Sequence, residues 1–189
     1  MKLNFHSEPH PYVTIDEFFE PHVWPHILRD LKTLDPHLKG PGQTGTARGL
    51  DGKPMKNNKG LFTAQKSTMT ETIKCQLFSQ DFFKQVDCVW WNRCWERLNH
   101  YNFLLSRYDD GDHYAPHFDF SYFTVLLWLC DEPKTFEGGD LIFNDYDITI
   151  PCKNNTGVIF LGPQKHEVTR VSGHGRYTIT CFLDIVSKR

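Results

Sequence analysis

A chain of 189 residues, 39% hydrophobic and 14% aromatic, can bury a substantial core and reads most simply as one domain. Its formal charge of −2 supplies no global field that would draw it to nucleic acid or to a membrane surface. No apolar run approaches the roughly 20 residues that span a bilayer. The start, MKLNFHSEPH, lacks an apolar signal core, and the six cysteines (Cys75, Cys88, Cys94, Cys130, Cys152, Cys181) form no CxxC pair. These features lead us to expect reduced thiols in a cytoplasmic protein.

In chain order, Pro11 to Asp16 reads as a short strand. Pro21 then opens an amphipathic helix to about Leu34, with Val23, Trp24, Ile27, Leu28 and Leu31 at helical spacing. From Lys39 to Lys66 the composition shifts to Gly, Pro, Asn and Lys, with Lys39, Arg48, Lys53, Lys56, Lys59 and Lys66 against Asp51. This is a long cationic surface loop, either a lid over a substrate or a solvated segment. Ser67 to Val86 is expected to be helical, with Met69, Ile73, Leu77, Phe78 and Phe82 on one face. Val89 to Leu98 is a further helix whose Trp90, Trp91 and Trp95 belong to the core.

After Asn99 the pattern changes to short β-branched and aromatic runs separated by turn residues. The expected strands are His100 to Tyr108, Ala115 to Asp119, Phe123 to Cys130, Asp140 to Asn144, Asp147 to Ile150, Gly157 to Leu161, His166 to Val168 and Arg176 to Asp184. Gly138 and Gly139 in one of the breaks serve a turn that needs positive φ. Close-set strands after helices predict a mainly β fold, a small barrel or jelly roll, with helical support over 17–98 and the strand core over about 99–185.

A strand turns alternate side chains to one face, so His117 and Asp119 can close on one metal ion while His166 completes a triangle. Two imidazoles and a carboxylate with open positions suit non-haem Fe(II). His174 is the competing third ligand, but the Gly-rich turn Ser-Gly-His-Gly holds a side chain poorly. Zinc also accepts His and Asp, yet no Glu is placed as a general base in a His-Glu-x-x-His pattern. Arg176 opens the last strand, where its guanidinium can hold a distant carboxylate through paired hydrogen bonds.

Leu105 to Asp119 resembles the Tyr, Gly, Tyr, His-x-Asp signature of the iron(II)/2-oxoglutarate-dependent dioxygenases, in particular their prolyl 4-hydroxylase-like branch. Phe123 to Leu129, Glu137 to Phe143, and Lys165-His-Glu-Val with Gly175 to Thr180 follow in the family's order. The resemblance implies a double-stranded β-helix with Fe(II) on His117, Asp119 and His166, and the C5 carboxylate of 2-oxoglutarate on Arg176. It places Tyr108 and Thr180 along that pocket. Trp128 stands where many members carry a tyrosine, and its indole N–H is a substitute donor. Fe(II), 2-oxoglutarate and O2 are the implied cofactor and co-substrates, with ascorbate as an accessory reductant; succinate and CO2 are the implied co-products. Arg176 replaces the lysine of many prolyl 4-hydroxylases and keeps its charge.

The branch implies a prolyl residue of a protein or peptide as substrate. A free amino acid or other small molecule is the alternative, and a catalytically silent binding module of the same fold is the alternative from another class. A nucleic-acid substrate is disfavoured by the lack of a basic stripe beyond the one loop.

Overall fold

The computed structural model describes residues 1–63, 67–79 and 81–186; Lys66 of the cationic loop and Gln80 of the second expected helix lie outside them. Thirteen strands appear among the described residues: β1 (Lys2–His6), β2 (Tyr12–Asp16), β3 (Lys59–Thr63), β4 (His100–Tyr108), β5 (Tyr114–His117), β6 (Phe123–Leu129), β7 (Phe136–Glu137), β8 (Leu141–Phe143), β9 (Ile148–Ile150), β10 (Thr156–Leu161), β11 (His166–Val168), β12 (Ser172–Gly173) and β13 (Arg176–Asp184). Three α-helices join them among the described residues: α1 (Trp24–Thr33), α2 (Thr68–Leu77) and α3 (Val89–Trp95).

A seven-stranded sheet in the order β1-β2-β10-β6-β13-β4-β3 faces a four-stranded sheet in the order β5-β11-β8-β9. All their pairings are antiparallel. This is the expected mainly β architecture of a double-stranded β-helix braced by helices.

Period-two alternation divides the large sheet into two unlike faces. On β13, Tyr177, Ile179, Cys181 and Leu183 join the helical core, as do Phe123, Val125, Leu127 and Leu129 of β6. Ile27, Leu28 and Leu31 of α1, Met69, Ile73 and Leu77 of α2, and Trp91 and Trp95 of α3 pack against them. Each such side chain, fully buried, stabilises the fold by roughly 1.5–3 kcal/mol. The opposite face meets the small sheet through Leu126, Trp128 and Phe160, against Phe143 and Val168. It also carries the buried polar side chains Ser106, Thr124, Arg176, Thr178 and Thr180.

Several expectations need correction. The N-terminal Lys2–His6 is an edge strand paired to β2, which its mixed composition conceals. The second helix ends at Leu77 and the chain passes through a 3-10 turn at Phe83–Gln85, although Phe82 and Phe83 still reach the helical core. Ser67 starts this helix, accepting from Thr70 N at 3.1 Å while Thr70 Oγ1 accepts from Ser67 N at 2.9 Å. Trp91 and Trp95 are core residues, but Trp90 is half exposed.

The cationic stretch is neither a free loop nor wholly a lid. Lys59–Thr63 extends the large sheet beside β4, and the preceding residues are fastened to β5. Ala115 N donates to Met55 O at 2.8 Å, His113 N to Asn57 Oδ1 at 2.8 Å, and Ala47 N to Tyr114 Oη at 3.2 Å.

Candidate metal centre and carboxylate pocket

His117 ends β5 and His166 opens β11, and the two lie directly opposite in the ladder with ring centroids 4.2 Å apart. Asp119 is not on the strand, as its spacing from His117 suggests, but just beyond it. Its backbone N–H donates to Gly162 O at 2.9 Å, so the turn leading towards His166 also places the carboxylate. That close approach requires glycine, since a Cβ at Gly162 would lie 2.0 Å from Ser121 O.

The ligand atoms of His117, Asp119 and His166 all fall within 4.8 Å of one another. Asp119 Oδ1 is 3.9 Å from His117 Nε2, and Asp119 Oδ2 is 3.6 Å from His166 Nε2. His117 Nδ1 lies 2.9 Å from Ala115 O and His166 Nδ1 lies 2.8 Å from Gln164 O. A carbonyl can only accept, so each Nδ1 carries the proton and each Nε2 presents its lone pair inward. Thr124 Oγ1 donates to Asp119 Oδ2 at 2.7 Å and fixes the carboxylate's rotation. Tyr114 stacks on His117 at 3.5 Å between centroids, and Phe160 meets His166 edge-on at 4.7 Å.

Burial, aided by His166, holds the His117 imidazole down to about 3, so the ring is neutral and able to ligate at ordinary pH. Burial raises the Asp119 carboxyl, with His166, Thr124 and Lys56 opposing. A desolvated carboxylate between two inward lone pairs is an environment that a divalent cation relieves. Two neutral imidazoles and one carboxylate form the ligand set suited to Fe(II). His174, the competing ligand, is exposed and lies 3.5 Å from Asp109 Oδ1, away from the triad.

The triad lines a cavity that continues inward to Tyr108, Arg176, Thr178 and Thr180. Arg176 is 1% exposed, a guanidinium wholly inside the barrel. Its Nε donates to Gly139 O at 2.9 Å and its Nη1 to Thr178 Oγ1 at 2.7 Å. Tyr108, opposite it in the ladder, lies beneath the guanidinium with its ring centroid 4.3 Å from Cζ. Burial outweighs Arg176 in pushing the Tyr108 phenol up to about 12, so it stays protonated.

Gly138 and Gly139, expected to serve a turn, both have positive φ, of 69° and 71°. Gly139 does more. A Cβ there would lie 2.5 Å from Arg176 Cδ and Nε, so the missing side chain is what admits the guanidinium. The six expected site residues His117, Asp119, His166, Tyr108, Arg176 and Thr180 therefore surround one cavity. Trp128 does not line it. Its ring packs in the inner core, with Nε1 buried and lacking a hydrogen-bond partner among the described residues.

Two contributors escaped the sequence reading, and the signal for each was weak. Thr124 is one threonine in a hydrophobic strand. Lys56 is one lysine of a lysine-rich run, yet it is buried on the cavity wall, with its ammonium 5.5 Å from the Tyr114 ring centroid. Burial lowers its pKa to about 8, with Asp119 opposing. Outward from Lys56, Leu104, Tyr114 and Asp119 the cavity opens into a groove of about 550 Å³ between residues 44–48 and Phe62, Phe118, Phe120 and Phe182.

Comparison with known proteins agrees with this geometry. Residues 103–184 match the family described as the 2OG-Fe(II) oxygenase superfamily. Among solved structures, a Pseudomonas putida prolyl-4-hydroxylase is similar with a TM-score of 0.67 and 14% identity, over 93% of each chain. A Trichoplax adhaerens prolyl hydroxylase, solved with a hypoxia inducible factor peptide fragment, gives a TM-score of 0.65 and 17% identity over 92% of this chain and 83% of that one. The viral collagen prolyl hydroxylase of Paramecium Bursaria Chlorella virus-1, solved with 2OG, gives 0.59 and 15% over 93% and 96%. At these identities the likeness is one of fold. No curated protein matches the chain in sequence.

Proposed function

Residues 103–184 form a 2OG-Fe(II) oxygenase domain, and from that premise we propose that this 2-oxoglutarate-dependent dioxygenase hydroxylates a prolyl residue of a protein or peptide. The observation that carries the choice of a polypeptide is the groove of about 550 Å³ opening beside Asp119. A space of that size suits a ligand larger than one amino acid. Phe118 and Phe120, on either side of Asp119, are 53% and 105% exposed, and such aromatic side chains are typical anchors for a bound chain. The fold neighbour from Trichoplax, solved with a peptide, supports the same reading.

In this proposal His117, Asp119 and His166 hold Fe(II) through the two Nε2 atoms and one carboxylate oxygen. Arg176 takes the far carboxylate of 2-oxoglutarate, with Tyr108 and Thr180 lining the same pocket. Bound iron, 2-oxoglutarate and O2 supply the oxidising chemistry, with succinate and CO2 as co-products. The chain's own contribution is positional. Ala115 O and Gln164 O orient the imidazoles, Thr124 turns the carboxylate, Gly139 O and Thr178 aim the guanidinium, and the apolar walls Leu104, Leu126 and Val168 keep water from the reacting centre. The six free thiols fit a cytoplasmic setting, which we propose with it.

Mass spectrometry after incubation with Fe(II), 2-oxoglutarate and O2 tests the substrate class. We expect one added oxygen on proline in a prolyl-peptide library, and its loss in His117→Ala. Oxygen appearing in free amino acids while all peptides stay unmodified would overturn the polypeptide reading.

A further inference from the structure

Charge inside the cavity is unbalanced in a way that specifies a ligand. The charged side chains on its lining are Lys56, Asp119 and Arg176. The one negative charge faces His117 and His166 and accepts from Thr124. Arg176 donates to a backbone carbonyl and a hydroxyl, both neutral. Lys56 is 4% exposed and, among the described residues, its ammonium has no hydrogen bond or ion pair, only the face of the Tyr114 ring at 5.5 Å. Asp119 is the one carboxylate of the lining that acts on Lys56, and two buried cations against a single carboxylate are unfavourable unless a ligand supplies another.

The two cations do not border the same spaces. Arg176 borders the inner cavity alone, whereas Lys56 borders both the cavity and the outer groove. Lys56 is also held in place: its backbone bridges to Tyr114, and its neighbours Met55 and Asn57 are bonded to Ala115 and His113. A dicarboxylate reaching from one to the other would place one carboxylate on each.

Resting on the assignment of Arg176 above, we propose that Lys56 is a second carboxylate-binding residue of the co-substrate site, taking the carboxylate at the keto-acid end of 2-oxoglutarate. A divalent metal on the triad adds positive charge at the same end, so this carboxylate enters a field to which Lys56 and the metal both contribute. The cationic segment then has a purpose beyond covering the mouth: it delivers one ammonium to the metal side of the pocket.

Calorimetric titration of the Mn(II)-loaded protein tests this without turnover, using 2-oxoglutarate and 2-oxopentanoate, which keeps the keto-acid end and lacks the far carboxylate. Lys56→Met is expected to weaken both ligands by about 10-fold or more, and Lys56→Arg to recover most of the loss. Arg176→Met is expected to weaken 2-oxoglutarate and leave 2-oxopentanoate nearly unchanged. Wild-type affinity for both ligands in Lys56→Met, or weakening of 2-oxoglutarate alone, overturns the assignment of Lys56. Failure of the wild-type protein to bind 2-oxoglutarate overturns the underlying function instead. A thermal melt and Mn(II) affinity for Lys56→Met separate misfolding from lost contact; if that variant does not fold, Lys56→Gln replaces it with the same expectations.

Discussion

The two faces of the large sheet are made by the same strands yet hold different kinds of residue. On β13, Tyr177, Ile179, Cys181 and Leu183 face helices, whereas Arg176, Thr178, Thr180 and Phe182 face the cavity. The first face is apolar and gains stability from burial. The second buries a guanidinium and hydroxyls that no apolar core would select, and that must be offset by hydrogen bonds or a ligand. One strand thus separates stability from function by side-chain parity, and changes on its two faces should have separable effects.

The largest effect is expected at the triad. His117→Ala or Asp119→Ala should reduce Fe(II)-dependent succinate formation to background while the fold persists, read by succinate assay and circular dichroism. Next comes Arg176→Met, which on the proposed assignment leaves the far carboxylate of 2-oxoglutarate unpaired in a buried site. A loss of about 3–5 kcal/mol is expected, a rise in the 2-oxoglutarate Kd of roughly 100-fold or more. Thr124→Val frees the Asp119 carboxylate to rotate, and Mn(II) affinity should fall by roughly 10- to 100-fold. The smallest effect is on the other face. Ile179→Val should lower unfolding free energy by about 0.5–1.5 kcal/mol, with 2-oxoglutarate affinity unchanged in the same preparation; a co-varying affinity would break the separation of faces.

Parity also explains what was legible in the sequence. His117, Asp119, His166 and Arg176 are unusual residue types set in strand-like context, so their chemistry could be read before any coordinate. The strand core after Asn99 was equally plain, because its β-branched runs alternate with Gly, Asn and Pro turns. The exceptions depend on partners distant in the chain. Gly139 matters because of Arg176, and Lys56 because residues 55–57 dock beside β5. Nothing local distinguishes Lys56 from Lys53 or Lys59. Asp119 lies off the strand because the Gly162 turn captures its amide, and Trp90 faces outward because a short helix buries only part of its circumference.

Anaerobic addition of Fe(II) and 2-oxoglutarate, followed by visible absorbance, tests the central claim most directly. The arrangement of His117, Asp119, His166 and Arg176 predicts a charge-transfer band that needs both additions and disappears in His117→Ala. A folded wild-type protein that takes up both and stays colourless would contradict it.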